Sequence, residues 1–261
     1  MNQPWSMVFN FFRSLSLAHL ERSLFSLAGQ TVKPNELIIY ENDTTFHPEE
    51  ISKVVELHFP GTNVCFDRHG DSMKRNASYA QNKAIRMAKH DTFIFTKADC
   101  IFHPTFCERM LMAKPPIPLA FSTSYIFQMP YWSQKGKPHE EVDHASDLES
   151  LGWREDVTQL NRNTEGGQMH TSTYMDAPCF CTTKQAMEVA GWYDEDIKSW
   201  GYWQMDLQGM MHKRGVRFNV IEEPLMWHMQ HGLSPEEGER NLQKAHNEYM
   251  ALPRRNDPAF Q

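Results

Sequence analysis

The chain has 261 residues, 40% of them hydrophobic and 23% charged, with 13 Gly and 15 Pro. Those proportions exclude a disordered chain, a collagen-like fibre and a coiled coil, and the length suffices for one large α/β domain or two small ones. Lys and Arg number 26 against 33 Asp and Glu, a formal charge of -7, which counts against a protein built mainly to grip nucleic-acid phosphates but leaves room for a local basic groove.

Met7–Phe12 is an apolar run of strand length. Leu17, Leu20, Leu24 and Leu27 then recur on one helical face, and Gly29 follows as a stop. Glu36–Tyr40 reads as a second strand ending in the polar cluster 41–45. Pro48–Leu57 reads as a helix and Asn63–Phe66 as a third strand. Ala77, Ala80, Ala84, Ile85 and Ala88 line another helix, followed by the strand Thr92–Thr96. This alternation implies right-handed crossovers and a mainly parallel sheet flanked by helices. Such sheets bind ligands beyond the carboxyl ends of their strands, and Glu41-Asn42-Asp43 and Lys97-Ala98-Asp99 occupy two such ends.

Residues 122–176 are rich in Tyr, Trp, Gln, Asn and Gly with little periodicity, the pattern of a functional loop or lid. Its Tyr125, Tyr131, Trp132 and Trp153 are candidates for a binding role, since such loops commonly carry function. Regularity returns with a strand at Ala177–Thr182 and a helix at Thr183–Ala190, capped by Thr183 and stopped by Gly191. Trp203–Arg214 reads as a helix stopped by Gly215, and Arg217–Ile221 as a strand with Pro224–His231 just beyond it. The charged tail from Ser234 holds one expected helix, Pro235–Met250. Neither a repeat nor a linker interrupts the chain, so one domain is expected.

The five cysteines, Cys65, Cys100, Cys107, Cys179 and Cys181, contain no CxxC pair, so neither a disulfide framework nor a zinc ribbon is indicated. Cys179 and Cys181 share one face of a strand and read as small, reduced core residues. No apolar stretch approaches the roughly 18 residues of a membrane span, and the N-terminus lacks signal-peptide features. A soluble, cytoplasmic protein is expected.

Four stretches resemble the GT-A nucleotide-sugar glycosyltransferases, especially the large family 2. The first is Ser26-Leu27-Ala28-Gly29-Gln30-Thr31 with Pro34 and Glu36-Leu37-Ile38-Ile39-Tyr40-Glu41-Asn42, similar to that family's opening helix, Gln-Thr turn and strand ending in acids. The second runs from Ala80-Gln81-Asn82-Lys83-Ala84-Ile85 to Phe93-Ile94-Phe95-Thr96-Lys97-Ala98-Asp99. It is similar to the helix that leads into the family's DxD strand. The third is Gly191-Trp192-Tyr193-Asp194-Glu195-Asp196, then Ser199-Trp200-Gly201 and Asp206-Leu207, which also resembles the Trp-Gly region of galactosyl- and N-acetylgalactosaminyltransferases. The fourth is Trp227-His228-Met229-Gln230-His231. They fall in the family's order over about residues 5–231, with the middle loop unmatched.

The resemblance implies a single Rossmann-like GT-A domain over 1–261. Residues of about 1–100 would form the nucleotide-binding half, about 101–233 the acceptor-side half, and 234–261 a helical tail. It implies a glycosyltransferase that moves a sugar from a nucleotide-diphosphate donor to an acceptor hydroxyl, most commonly of a glycan. Glu41 and Asn42 would lie at the nucleoside, flanked by Phe11, Phe12 and Arg13, with one or more of the two aromatics expected in the core instead. Asn82, Lys97 and Asp99 complete the implied donor set. Asp99 matches the second Asp of DxD, usually a ligand of Mn²⁺ or Mg²⁺. His228 and His231 would complete that metal site, or are ordinary polar residues, with His228 the first choice.

Two positions depart from the family. Lys97 replaces the first Asp of DxD, and a lysine there either binds the diphosphate directly, in place of some or all of the metal, or is a solvated surface residue. Trp203-Gln204 replaces the Glu-Asp pair that holds the inverting base, and a glutamine amide takes no proton. Asp206 then serves as the catalytic base, or the enzyme is retaining, or catalysis is lost and binding kept. Trp200, Gly201, Tyr202 and Trp203 are the acceptor-side candidates, with plain core the other reading of the aromatics. Two alternatives to a glycan transferase stand: a non-catalytic sugar-nucleotide or glycan-binding module, and a transferase acting on hydroxylated bases in DNA, which the net charge disfavours.

Overall fold

The computed structural model describes residues 3–12, 15–42, 44–67, 77–128, 168–170, 179–197 and 202–229, together with 243, 244, 247 and 251. Arg13, Asp43, Trp200, Gly201, His231, the loop aromatics Tyr131, Trp132 and Trp153, and most of the expected tail helix lie outside those residues.

Strand β1 (Trp5–Phe12) is buried along both faces up to Phe12, as a central strand covered on two sides must be. In α1 (Leu17–Ala28) the Ser16 hydroxyl caps the helix by accepting from the His19 N–H, while Leu20, Leu24 and Leu27 face the sheet. Strand β2 (Glu36–Asn42) follows. Helix α2 (Pro48–His58) starts on a proline, whose missing N–H has no partner to lose there. Then come β3 (Val64–Asp67), α3 (Ala77–Met87) and β4 (Thr92–Lys97). These four strands pair in parallel in the order β3-β2-β1-β4. The chain therefore winds outward from β1 to β3 and returns to place β4 on the other side of β1. That reversal makes a topological switch point between the carboxyl ends of β1 and β4.

The second half contributes β5 (Cys100–Phe102), α4 (Phe106–Ala113), β6 (Ala120–Gln128), β7 (Gln168–His170), β8 (Phe180–Thr183), α5 (Lys184–Ala190), α6 (Tyr202–Lys213) and β9 (Arg217–His228). All nine described strands join one sheet of order β3-β2-β1-β4-β8-β6-β9-β5, with β7 on β6. The sheet is mixed. Its parallel character is confined to β1–β4 and to the β6–β9 pair, while β8 enters antiparallel between β4 and β6.

Two expectations change here. The loop expected over residues 122–176 is in part strand, because Ser122–Gln128 belong to β6, paired along its length with β9, and Gln168–His170 form β7. The strand expected to end at Ile221 continues to His228. Pro224, which cannot donate to a ladder, sits where the β6–β9 register shifts between Ser124 and Tyr125, and a bulge is where a sheet tolerates proline.

Helices α1, α2 and α4 pack their apolar faces on one side of the sheet, and α3, α5 and α6 on the other. The second core is built around Phe180, whose ring lies 5.4 Å from Phe95 and 5.2 Å from Phe121. Cys100, Cys107, Cys179 and Cys181 are free and buried. Burial raises the Cys107 thiol, and raises that of Cys181 to about 12, so these sulfurs are protonated, unreactive core atoms.

Gly191 ends α5 with φ +88°, and Trp192 after it holds φ 66°. A Cβ at Gly191 would meet nothing within 4 Å, so its cost is purely conformational. Gly191→Ala is expected to destabilise by about 1 kcal/mol. Gly209, inside α6 with equally open surroundings, should respond oppositely, with a gain of up to about 1 kcal/mol on Gly209→Ala. Paired denaturant melts check the two signs.

Candidate functional site

The carboxyl end of β4 is fixed by its neighbours. The Ala98 N–H donates to the Asn10 carbonyl at 3.0 Å, and the Met229 N–H donates to the Asp99 carbonyl at 2.7 Å. Strand β5 then pairs Cys100 with His228. This register brings His228 Nε2 to 3.3 Å from Asp99 Oδ2. The Cys100 thiol lies 3.4 Å from the other carboxylate oxygen, Oδ1, to which it donates. Burial, then the neighbouring Cys179, then Asp99 push the Cys100 thiol well up, which keeps its proton in place. Asp99 is 2% exposed and the His228 side chain 21%. A buried carboxylate with an adjoining, partly open imidazole is thus held by backbone on three strands.

The ends of β1 and β2 divide by face. Alternation puts Phe11 and Glu41 on the α1/α2 side and Asn10, Asn42 and Lys97 on the α3/α6 side. Phe11 is fully buried, its ring 6.2 Å from that of Phe46, so of its two readings the structure places it in the core. Glu41 is fully buried as well, and its Oε1 accepts from the Thr44 N–H at 2.6 Å, which shapes the turn after β2. Asn42 and Lys97 are half-buried at their strand ends.

A second region lies between α3, α6 and the turn after α5. The Asn82 amide donates to the Tyr193 carbonyl at 2.8 Å and to Glu195 Oε1 at 2.9 Å, and its Oδ1 accepts from the Tyr193 N–H at 3.0 Å. Around it opens a cleft of about 430 Å³, also lined by Arg86, Trp192, Asp206 and Arg214. The Arg86 guanidinium sits 4.5 Å from the Trp192 ring centroid. Asp206 is buried in this cleft, which shares no lining residue with the Asp99–His228 pair. Tyr202, Trp203 and Gln204 are buried in the first turn of α6. A larger cavity, about 520 Å³, opens beside Trp5 and Thr92 at the amino ends of β1 and β4, the end of the sheet away from Asp99.

Two residues at the strand ends escaped the sequence reading. Cys100 was legible only as core, because nothing in its type marks a thiol that donates to Asp99. Asn10 lay inside an apolar run and gave no periodicity signal, yet it is a buried amide at the switch point.

Among the described residues no group of three or more His, Cys, Asp and Glu side chains gathers where a metal ion could be held. Asp99 and His228 form a two-ligand set, one carboxylate oxygen and one imidazole nitrogen, which suits Mn²⁺. Ions that retain waters or take substrate phosphate oxygens need only one or two protein ligands. Held by these two residues, a divalent ion would supply charge neutralisation at a leaving diphosphate.

Comparison with known proteins bears on the fold. Residues 11–114, from the end of β1 through α4, match the family model for glycosyl transferase family 2. A search of curated proteins found no match. Among solved structures, S. aureus TarS has a TM-score of 0.56 at 12% identity, over 96% of this chain and 40% of its own. The S. aureus TarS 1-349 structure in complex with UDP gives 0.57 at 12% identity, over 96% and 66%. At these identities the likeness establishes the fold, and the chain spans 40% of the length of the first of them. The architecture is therefore that of the GT-A glycosyltransferases. Within it, residues 11–114 carry the family 2 sequence pattern, which bears out the resemblance seen in the sequence.

Proposed function

We propose that the chain is a glycosyltransferase that moves a sugar from a nucleotide-diphosphate donor to an acceptor hydroxyl, with a glycan as the acceptor class. The observation that carries this reading is the family 2 match over residues 11–114, a span that holds, just beyond β4, the Asp99 carboxylate 3.3 Å from His228. In the reaction the bond from the anomeric carbon to the diphosphate oxygen breaks and one to the acceptor oxygen forms. The acceptor's proton passes to a base. What the protein must supply is orientation and compensation of the diphosphate charge.

In this reading Asn42, beside the buried Glu41, borders the nucleoside, and Lys97 and Asp99 border the diphosphate. Trp200, Gly201, Tyr202 and Trp203 bound the acceptor. Asp206 is the candidate base; the cleft it shares with Asn82 also suits a role in fixing the turn after α5. UDP is the nucleotide to try first, since it is the one bound to TarS 1-349. No described helix is long and apolar enough to cross a membrane.

The test is thermal shift against a panel of nucleotide sugars, with and without Mn²⁺, on the parent chain and on Asp99→Ala. A donor that binds only the folded chain raises its midpoint, by the equivalent of about 2.7 kcal/mol at a hundredfold excess over Kd. Stabilisation that needs Mn²⁺ and disappears in the variant supports transfer assisted by metal, whereas stabilisation without it puts Lys97 at the diphosphate. No response to any donor overturns the reading. The second reading, a binding module without catalysis, draws on the buried Gln204 where inverting relatives carry an acid. It predicts donor stabilisation with no donor cleavage in the presence of any acceptor.

A further inference from the structure

We infer that Asn10 is a donor-binding residue that hydrogen-bonds the nucleoside part of the nucleotide, an inference that rests on the glycosyltransferase reading above. Asn10 is 3% exposed, and its Oδ1 is buried without a hydrogen-bond partner. Folded proteins seldom leave such an atom unpaired, because its desolvation goes uncompensated. Its position gives the reason. Asn10 pairs in register with Lys97 across β1 and β4, at the switch point where open α/β sheets bind their ligands. It stands two residues beyond Val8 and Lys97 two beyond Phe95, so both belong to the face covered by α3 and α6.

Gln81 Oε1 on α3 and Trp203 Nε1 in the first turn of α6, helices of that face, are also buried without a hydrogen-bond partner.

The chemistry of Oδ1 selects the part of the ligand. It is an acceptor and needs an N–H or O–H group. A diphosphate at neutral pH offers only acceptor oxygens, whereas a nucleoside carries ribose hydroxyls and, in uridine, an imide N–H. Lys97 does not donate to it. The pair thus divides the donor, with the amide at the nucleoside and the ammonium at the diphosphate.

Asn10→Leu tests this, since leucine is close in size and carries no polar atom. Removing a buried amide that bonds to nothing in the folded chain leaves the ligand-free midpoint unchanged or raised. The same substitution is expected to weaken UDP and UMP binding on the order of tenfold, the loss of about one hydrogen bond, and to leave pyrophosphate binding as in the parent. Titration calorimetry of the full chain with UDP, UMP and pyrophosphate reads all three, with Asn10→Ala as a second variant should leucine crowd the site. A variant that binds UDP as tightly as the parent overturns the inference. So does an equal loss toward pyrophosphate, or a lowered midpoint in both variants with UDP affinity intact. A parent chain that binds none of UDP, GDP and ADP overturns the donor-binding reading itself, a result distinct from failure of the variant alone.

Discussion

Asp99→Asn is expected to reduce sugar transfer by about 10²–10³-fold, the range lost when a single preorganised electrostatic group is removed from an active site, while the folding midpoint stays near that of the parent. The substitution keeps size and shape. The Asp99 carbonyl still accepts from Met229, and the side-chain oxygen can still accept from Cys100. What goes is the charge. A buried carboxylate 3.3 Å from His228 is worth its desolvation only if something positive is held against it, and in the proposed transfer a positive group is needed at the diphosphate. His228→Ala should cost less than Asp99→Asn, because the imidazole is one-fifth exposed and water reaches it. The double variant should cost little more than Asp99→Asn alone, since residues acting as a unit are not additive. Steady-state transfer rates on the three variants, beside their melts, check this. An Asp99→Asn enzyme that turns over like the parent removes Asp99 from the mechanism.

The parts of the fold legible in the sequence were those whose burial is apolar. Strands β1, β2 and β4 are runs such as Leu-Ile-Ile-Tyr and Phe-Ile-Phe, and the leucines of α1 and the alanines of α3 recur at helical spacing. Strand β6 was hidden because its middle is Ser122-Thr123-Ser124, which by composition reads as a loop. In the structure those hydroxyls are buried and hydrogen-bonded, Ser122 to the Met110 carbonyl at 2.7 Å and Thr123 to that of Cys179 at 2.9 Å. Strand β5 has three residues, too few for any period. Asp99 and His228 were each readable as candidates from the family's motif order. Their approach follows from a single register between β5 and β9, which no local pattern encodes. The same limit hid the difference between Glu41 and Asn42, neighbours in sequence whose side chains leave β2 on opposite faces.

Asn82 carries the second large effect, on stability. Its amide closes a reciprocal pair with the Tyr193 backbone, accepting from the N–H at 3.0 Å and donating to the carbonyl at 2.8 Å. All of this is buried, so Asn82→Ala leaves two backbone groups unpaired away from water and is expected to cost about 2–4 kcal/mol, a fall in melting midpoint on the order of 10 °C. Asn82→Asp, the same in size, still accepts from the N–H but has no amide to donate, and sets a carboxylate beside Glu195; it should lose at least half as much. Glu195→Ala is the control. That side chain is 43% exposed, and its removal should stay within about 0.5 kcal/mol. If the control costs as much as Asn82→Ala, the contact with Glu195 and not the Tyr193 backbone holds the turn. Under the proposed function the consequence reaches the acceptor side, because Tyr193 precedes Trp200 and the first turn of α6 in the chain. A chain carrying Asn82→Ala, assayed below its melting range, should bind UDP as the parent does and show a raised KM for acceptor. A raised Kd for UDP instead would place Asn82 at the donor, where the family resemblance put it.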